Sequence, residues 1–171
     1  MSSPLLESLF QHLPDGRYQI TSPQTLNYNC IAWAASETNR KWWPIGAHWP
    51  QNIPREETVA AFILAFATRN YEPCDNGTLE DGYEKVVIYV DSSQTPTHMA
   101  RQLSSGRWTS KLGDLEDIEH ETLRQLEDGH YGRAIQYLKR PIASNKRAGC
   151  LTLIALSLLR SIWKVSISTI R

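Results

Sequence analysis

At 171 residues and 19.5 kDa, with 41% hydrophobic and 21% charged residues, the chain has the size and composition of one folded domain with a sizeable core, which excludes disordered and collagen-like classes. A formal net charge of +0 excludes an overall field that would draw it to nucleic acid or anionic lipid. That zero hides an asymmetry: Lys146, Arg147, Arg160, Lys164 and Arg171 meet no acid within residues 142–171, so acids outnumber bases in residues 1–141.

The first residues, Met1-Ser2-Ser3-Pro4-Leu5-Leu6-Glu7, lack the basic and apolar blocks of a secretory signal, so a reducing cytoplasm is expected. The pattern predicts a short helix over 4–12, a turn at Leu13-Pro14-Asp15-Gly16 and a brief strand over 18–20. Residues 21–29 lead to a cysteine. Cys30, Trp33 and Ala34 then mark one face of a helix, with Asn29 or Asn27 available as its cap. Three tryptophans, Trp42, Trp43 and Trp49, stand among Pro44, Gly46 and Pro50 in a stretch that cannot be a regular helix, and it reads equally as a ligand wall or as a core plug. Pro54, with Glu56 and Glu57 after it, reads as the start of a helix over 55–69, whose apolar face is Val59, Phe62, Ile63 and Phe66.

Cys74-Asp75-Asn76-Gly77 reads as a turn, and residues 83–90 as a buried strand. Residues 95–103 and 107–112 read as two further strands joined through Ser104-Ser105-Gly106. A mixed loop and short helix is expected over 114–125, and a last strand over 131–139. Helices first and an antiparallel sheet afterwards make an α+β domain, N-terminal helices packed on an antiparallel β-sheet, over residues 1–141. Residues 142–171 form a basic and apolar extension with helical spacing. Its stretch 150–167 includes two cations and is marginal for spanning a bilayer, so an amphipathic helix resting on the body, on a partner or on a membrane surface is the expectation.

Cys30, Cys74 and Cys150 are an odd set without C-x-x-C spacing, and the histidines stand at no metal-ligand interval from them. No disulfide scaffold, metal or cofactor is expected, and a free thiol stays usable. Asn29-Cys30-Ile31-Ala32-Trp33-Ala34, then Thr97-His98-Met99-Ala100-Arg101-Gln102, then Gly106-Arg107-Trp108-Thr109-Ser110-Lys111-Leu112-Gly113 and Ile118-Glu119-His120 resemble a bacterial family that is itself similar to the papain-like, NlpC/P60-type superfamily. The resemblance runs from about residue 28 to residue 141. It implies a papain-like fold, in which a cysteine, a histidine and a third polar residue occur in that chain order, and a cysteine hydrolase or acyltransferase acting on an amide bond of a peptide-like or small substrate.

Cys30 is then the nucleophile and His98 the acid and base. A free thiol titrates near 8.5, and a helix start with a nearby imidazolium is expected to lower that by several units. The N–H of Cys30 is the first oxyanion donor to consider, and Gln24, six residues upstream, has the spacing of the side-chain donor in papain-type enzymes. The third member depends on the hairpin register. A three-residue loop sets Ser110 on the face of His98, whereas a two-residue loop sets Thr109 and Lys111 there; Glu116, Asp117 and His120 compete. Trp33, Trp108, Lys111 and His120 are candidate substrate contacts. Against all this stands a plainer set of roles: Cys30 and Cys74 as packing residues, His98 and His120 as structural histidines, Lys111 as a solvated strand end, and the domain as a catalytically silent binding or interaction module.

Overall fold

The computed structural model describes residues 3–142. Pro4–Leu9 forms α1, capped by the Ser3 hydroxyl, which accepts from the N–H of Leu6; a 3-10 turn follows at Leu13–Asp15. Strand β1 (Tyr18–Ser22) leads through an irregular segment to α2 (Cys30–Ala34), a single turn. Helix α3 is Val59–Ala67, four residues shorter at its start than Pro54 and the two glutamates suggest. Thr58 is the real cap, because its side chain accepts from Ala61 N–H, and the Pro54 carbonyl is taken by the Trp49 indole.

The strands after α3 are β2 (Glu72–Cys74), β3 (Tyr83–Val90), β4 (Pro96–Gln102), β5 (Trp108–Lys111), β6 (Asp117–His120) and β7 (Arg133–Pro141), with a 3-10 turn at Leu123–Leu126 before β7. They make one antiparallel sheet in the order β1-β6-β5-β4-β3-β7-β2. The α+β expectation holds at that level. Two strands escape the sequence pattern: β2, which ends at Cys74 where the pattern indicates a turn, and β6, inside the stretch expected to be loop and helix.

Strand β3 reads as a continuous apolar run because both of its faces are covered. On one face Val86, Ile88, Val90 and Met99 meet Ile31, Ala34, Phe62 and Phe66 from α2 and α3, together with Trp42 and Trp49. The tryptophan loop is therefore a core plug. On the other face Val87, Tyr89, Ala100 and Ile118 meet Leu6, Phe10, Leu13 and Leu126. At about 25 cal/mol per Å² of buried apolar surface, the two layers together supply the drive to fold.

Strand β4 is irregular on both of its edges. Tyr89 opposes His98 but Val90 opposes Pro96, so Thr97 is an extra residue, a bulge that re-aims its neighbours. On the β5 side, pairing is confined to Arg101↔Thr109 and Gln102↔Trp108, and α2 packs against both strands. Among the described residues no helix is long and apolar enough to cross a membrane. The extension 142–171, its stretch 150–167 and Cys150 lie, apart from Ile142, outside the described residues.

Candidate functional site

Asn29 begins the site. Its Oδ1 accepts from the N–H groups of Ala32 (3.2 Å) and Trp42 (3.0 Å), and its Nδ2 donates to the Trp42 carbonyl at 2.7 Å. One amide thus caps α2 and ties it to the tryptophan loop, which sets Cys30 as the first residue of the helix. The backbone N–H groups of Met99, Ile31 and Cys30 itself, and the charge of Lys111, all favour an ionised sulfur. Burial outweighs them. The residue is 6% exposed and its thiol is pushed up to about 11. The expected lowering fails because α2 is one turn long, too short for a substantial dipole, and because the sulfur has left water.

The hairpin settles the register. Leu103 N–H donates to Arg107 O at 2.8 Å across the three-residue loop 104–106, where Gly106 adopts φ +84°. Ser110 therefore shares the face of His98, and its Oγ stands 3.1 Å from His98 Nε2. The same oxygen stands 2.9 Å from His120 Nε2, and His120 Nδ1 lies 2.8 Å from the Thr122 carbonyl. All three side chains are buried.

Proton positions along this chain follow from chemistry. A carbonyl only accepts, so His120 carries its proton on Nδ1 and presents a lone pair at Nε2. Ser110 must donate to that lone pair, and so accepts from His98. His98 is then protonated on Nε2 and bare on Nδ1. That Nδ1 is buried and has no hydrogen-bond partner among the described residues, Cys30 Sγ included. Burial holds both imidazoles neutral: His120 falls to about 4, and His98 falls well below its ordinary value, with the nearby His120 adding to the effect.

Cys30 packs with Met99, whereas His98 shares the opposite face with its register partner Tyr89. The sulfur nevertheless lies against the N–H of Met99, the residue joined to His98, at the point where β4 has parted from β5. Tyr131 lies over His98. Its ring stacks on His98 at 4.0 Å and 12°, its carbonyl accepts from Thr97 Oγ1 at 2.7 Å, and its phenol feels the charge of Cys30. Periodicity alone makes Tyr131 the first residue of a strand and gives it no part in the site; the adjacent Gly132, at φ +69°, is the available sign of a tight turn.

The remaining candidates scatter. Gln24 is exposed in the segment between β1 and α2. Trp33 stacks on Tyr28 at 5.6 Å and donates to Thr109 Oγ1 at 3.1 Å, with the Arg101 guanidinium over its ring. Trp108 is in the second core layer, so close to Gly77 that a Cβ there would meet it at 2.9 Å. Lys111 is not a solvated strand end: it is fully buried, bonded to the Leu115 carbonyl and 5.5 Å from the Tyr28 ring. Asp117 is committed elsewhere, its Oδ2 accepting from Tyr28 at 2.5 Å and Ser22 at 2.7 Å. The Glu116 Oε2 is buried without a partner. Among the described residues no group of three or more His, Cys, Asp or Glu could hold a metal ion.

Residues 19–139 match the model of a family described as a domain of unknown function, DUF7689. No curated protein and no solved structure matches the chain.

Proposed function

The chain belongs to the DUF7689 family, and we propose that it is a papain-like, cysteine-dependent hydrolase or acyltransferase acting on an amide bond, with Cys30 as nucleophile and His98 as its base. The observation that carries this reading is the bare Nδ1 of His98, a buried lone pair left without a partner while the other ring nitrogen is held through Ser110 and His120. An unsatisfied acceptor costs about 1–3 kcal/mol, and a base poised for a proton is a use for it.

Thiol and imidazole start neutral. As the sulfur attacks the carbonyl carbon of a peptide-like or small amide, its proton passes to His98 Nδ1, and the imidazolium strengthens its hydrogen bond to Ser110 Oγ. The same proton goes to the leaving amine as the C–N bond breaks, giving an S-acyl Cys30. Water, or an amine in a transferase, then attacks the acyl carbon, loses its proton to His98 and releases the thiol. Ser110 is the orienting third member, and His120 fixes the direction of the serine hydroxyl. The cytoplasm suits such chemistry, since a thiol stays reduced there.

A second reading, a silent binding module of the same fold, draws support from the thiol's displacement to about 11 and the lack of a thiol–imidazole hydrogen bond. Acylation by p-nitrophenyl acetate, followed by intact mass, separates the two. The enzyme gives one acetyl per chain, lost in Cys30→Ala and slowed at least ~100-fold in His98→Ala. A wild-type chain acetylated no faster than Cys30→Ala is the silent module.

A further inference from the structure

Helix α3 is apolar all round: Val59–Ala67 contains no polar side chain. A helix at the surface of a domain ordinarily turns charged and polar residues to the water. Here Ala60, Leu64 and Ala67 are exposed, Leu64 at 46%, and Ile63 is half-buried. These four stand at i, i+3, i+4 and i+7, a second stripe opposite the Ala61, Phe62, Ala65 and Phe66 that enter the core. We infer that this outer stripe is the docking surface for the chain's own C-terminal segment, residues 150–165. The inference is independent of the chemistry proposed for Cys30.

The path of the chain leads to that stripe. The last described residues lie beside the C-terminal end of α3: Arg140 Nη1 donates to the Arg69 carbonyl at 3.5 Å, and Pro141 and Ile142 line a cavity of about 340 Å³ with Arg69, Asn70 and Glu84. Asn70 is itself held to the helix end, its N–H donating to the Ala67 carbonyl at 3.0 Å. In the sequence Ala143-Ser144-Asn145-Lys146-Arg147-Ala148-Gly149 comes next. Such a linker reaches at most about 25 Å, enough to round a helix about 10 Å thick.

From Cys150 onward the sequence sets Leu151, Ile154, Ala155, Leu158, Ile162 and Val165 on one helical face and Arg160 and Lys164 on the other. A helix that enters at Ala67 and runs antiparallel to α3 keeps pace with it, because both rise about 1.5 Å per residue. Leu151 then meets Ala67, Ile154 and Ala155 meet Ile63 and Leu64, and Leu158 meets Ala60. The two alanines of α3 are small enough to let the axes approach closely.

A second copy of the chain suits the stripe less well. The nine residues of α3 span only about 13 Å, a small part of the ~800 Å² per partner that a stable dimer buries. Tethering removes the need for such an area. Across a short linker the segment is present at an effective concentration on the order of millimolar, so a few apolar contacts suffice. Arg160 and Lys164, on the far side, stay in water.

Amide hydrogen exchange of the full-length chain, read by mass spectrometry at two well-separated protein concentrations, tests the contact. Peptides from 150–165 should exchange at least ~10-fold more slowly than an unstructured peptide, and equally at both concentrations. Leu64→Asp on the helix and Leu158→Asp in the segment should each abolish that protection. Should Leu64→Asp fail to fold, Ala60→Glu, a charge that suits the first turn of a helix, carries the same test. An unprotected wild-type segment overturns the inference, as does protection retained in either folded variant, since the segment then packs elsewhere. Protection that appears only at the higher concentration assigns the stripe to a second copy. Protection that appears only with phosphatidylserine vesicles assigns the segment to a membrane surface, and either result overturns the inference.

Discussion

Ser110 and His98 face each other across adjacent strands with Oγ 3.1 Å from Nε2, and the serine's own proton is claimed by His120 on the far side. One hydroxyl therefore dictates the tautomer of a buried imidazole. Ser110→Ala removes it and leaves two buried groups orphaned, the His98 Nε2–H and the His120 Nε2 lone pair. At about 1–3 kcal/mol for each, the variant should lose at least ~2 kcal/mol in urea denaturation, with an unchanged m value. It also frees the His98 proton to move to Nδ1, so acylation of Cys30 should fall beyond what partial unfolding explains. A variant within ~0.5 kcal/mol of wild type would mean the relay does not hold the ring.

The pairing of these two residues is legible in the amino-acid sequence for a definite reason. The three-residue loop with Gly106 fixes the register of its hairpin, and register with period two is enough to place Ser110 with His98. What periodicity cannot supply is tertiary. Asp117 and His120 lie on a four-residue strand in a polar stretch, and only pairing with β1 and β5 makes it a strand. Lys111 reads as solvated because lysines usually are, yet α2 and Tyr28 cover it. The thiol titrates in the opposite direction from expectation because the sequence shows that a cysteine starts a helix, not that the helix ends after one turn or that the sulfur is sealed.

Acid should weaken the fold before any carboxylate is the cause. The unfolded chain takes up protons on its histidines near 6.5, while folded His120 resists until about 4 and His98 is also held down. The stability linked to neutral imidazoles is thus fully present above ~6.5 and lost as pH falls toward 4. His120 alone accounts for roughly 3 kcal/mol across that window. Urea denaturation at pH 7.5 and pH 4.5 should show most of that difference, and His120→Gln, which cannot titrate, should flatten the slope. Equal wild-type stability at both pH values would rule out a neutral relay.

Asn29 separates the two contributions that one residue makes to this site. Asn29→Ala strips three hydrogen bonds at once, leaving the N–H groups of Ala32 and Trp42 and the Trp42 carbonyl without their partner. A five-residue helix has no further turns to absorb the loss, so the cost should be about 2–3 kcal/mol in denaturation midpoint terms, with the tryptophan loop loosened. Asn29→Asp keeps both accepting bonds and so retains more stability. It sets a carboxylate beside the Trp42 carbonyl and one residue from the sulfur, which disfavours the thiolate further. Alkylation by iodoacetamide at pH 9 should therefore be slower in Asn29→Asp than in wild type, yet faster in Asn29→Ala, where opening of the helix start exposes the thiol. Equal rates in wild type and both variants would show that the amide holds the loop alone and has no bearing on the reactivity of Cys30.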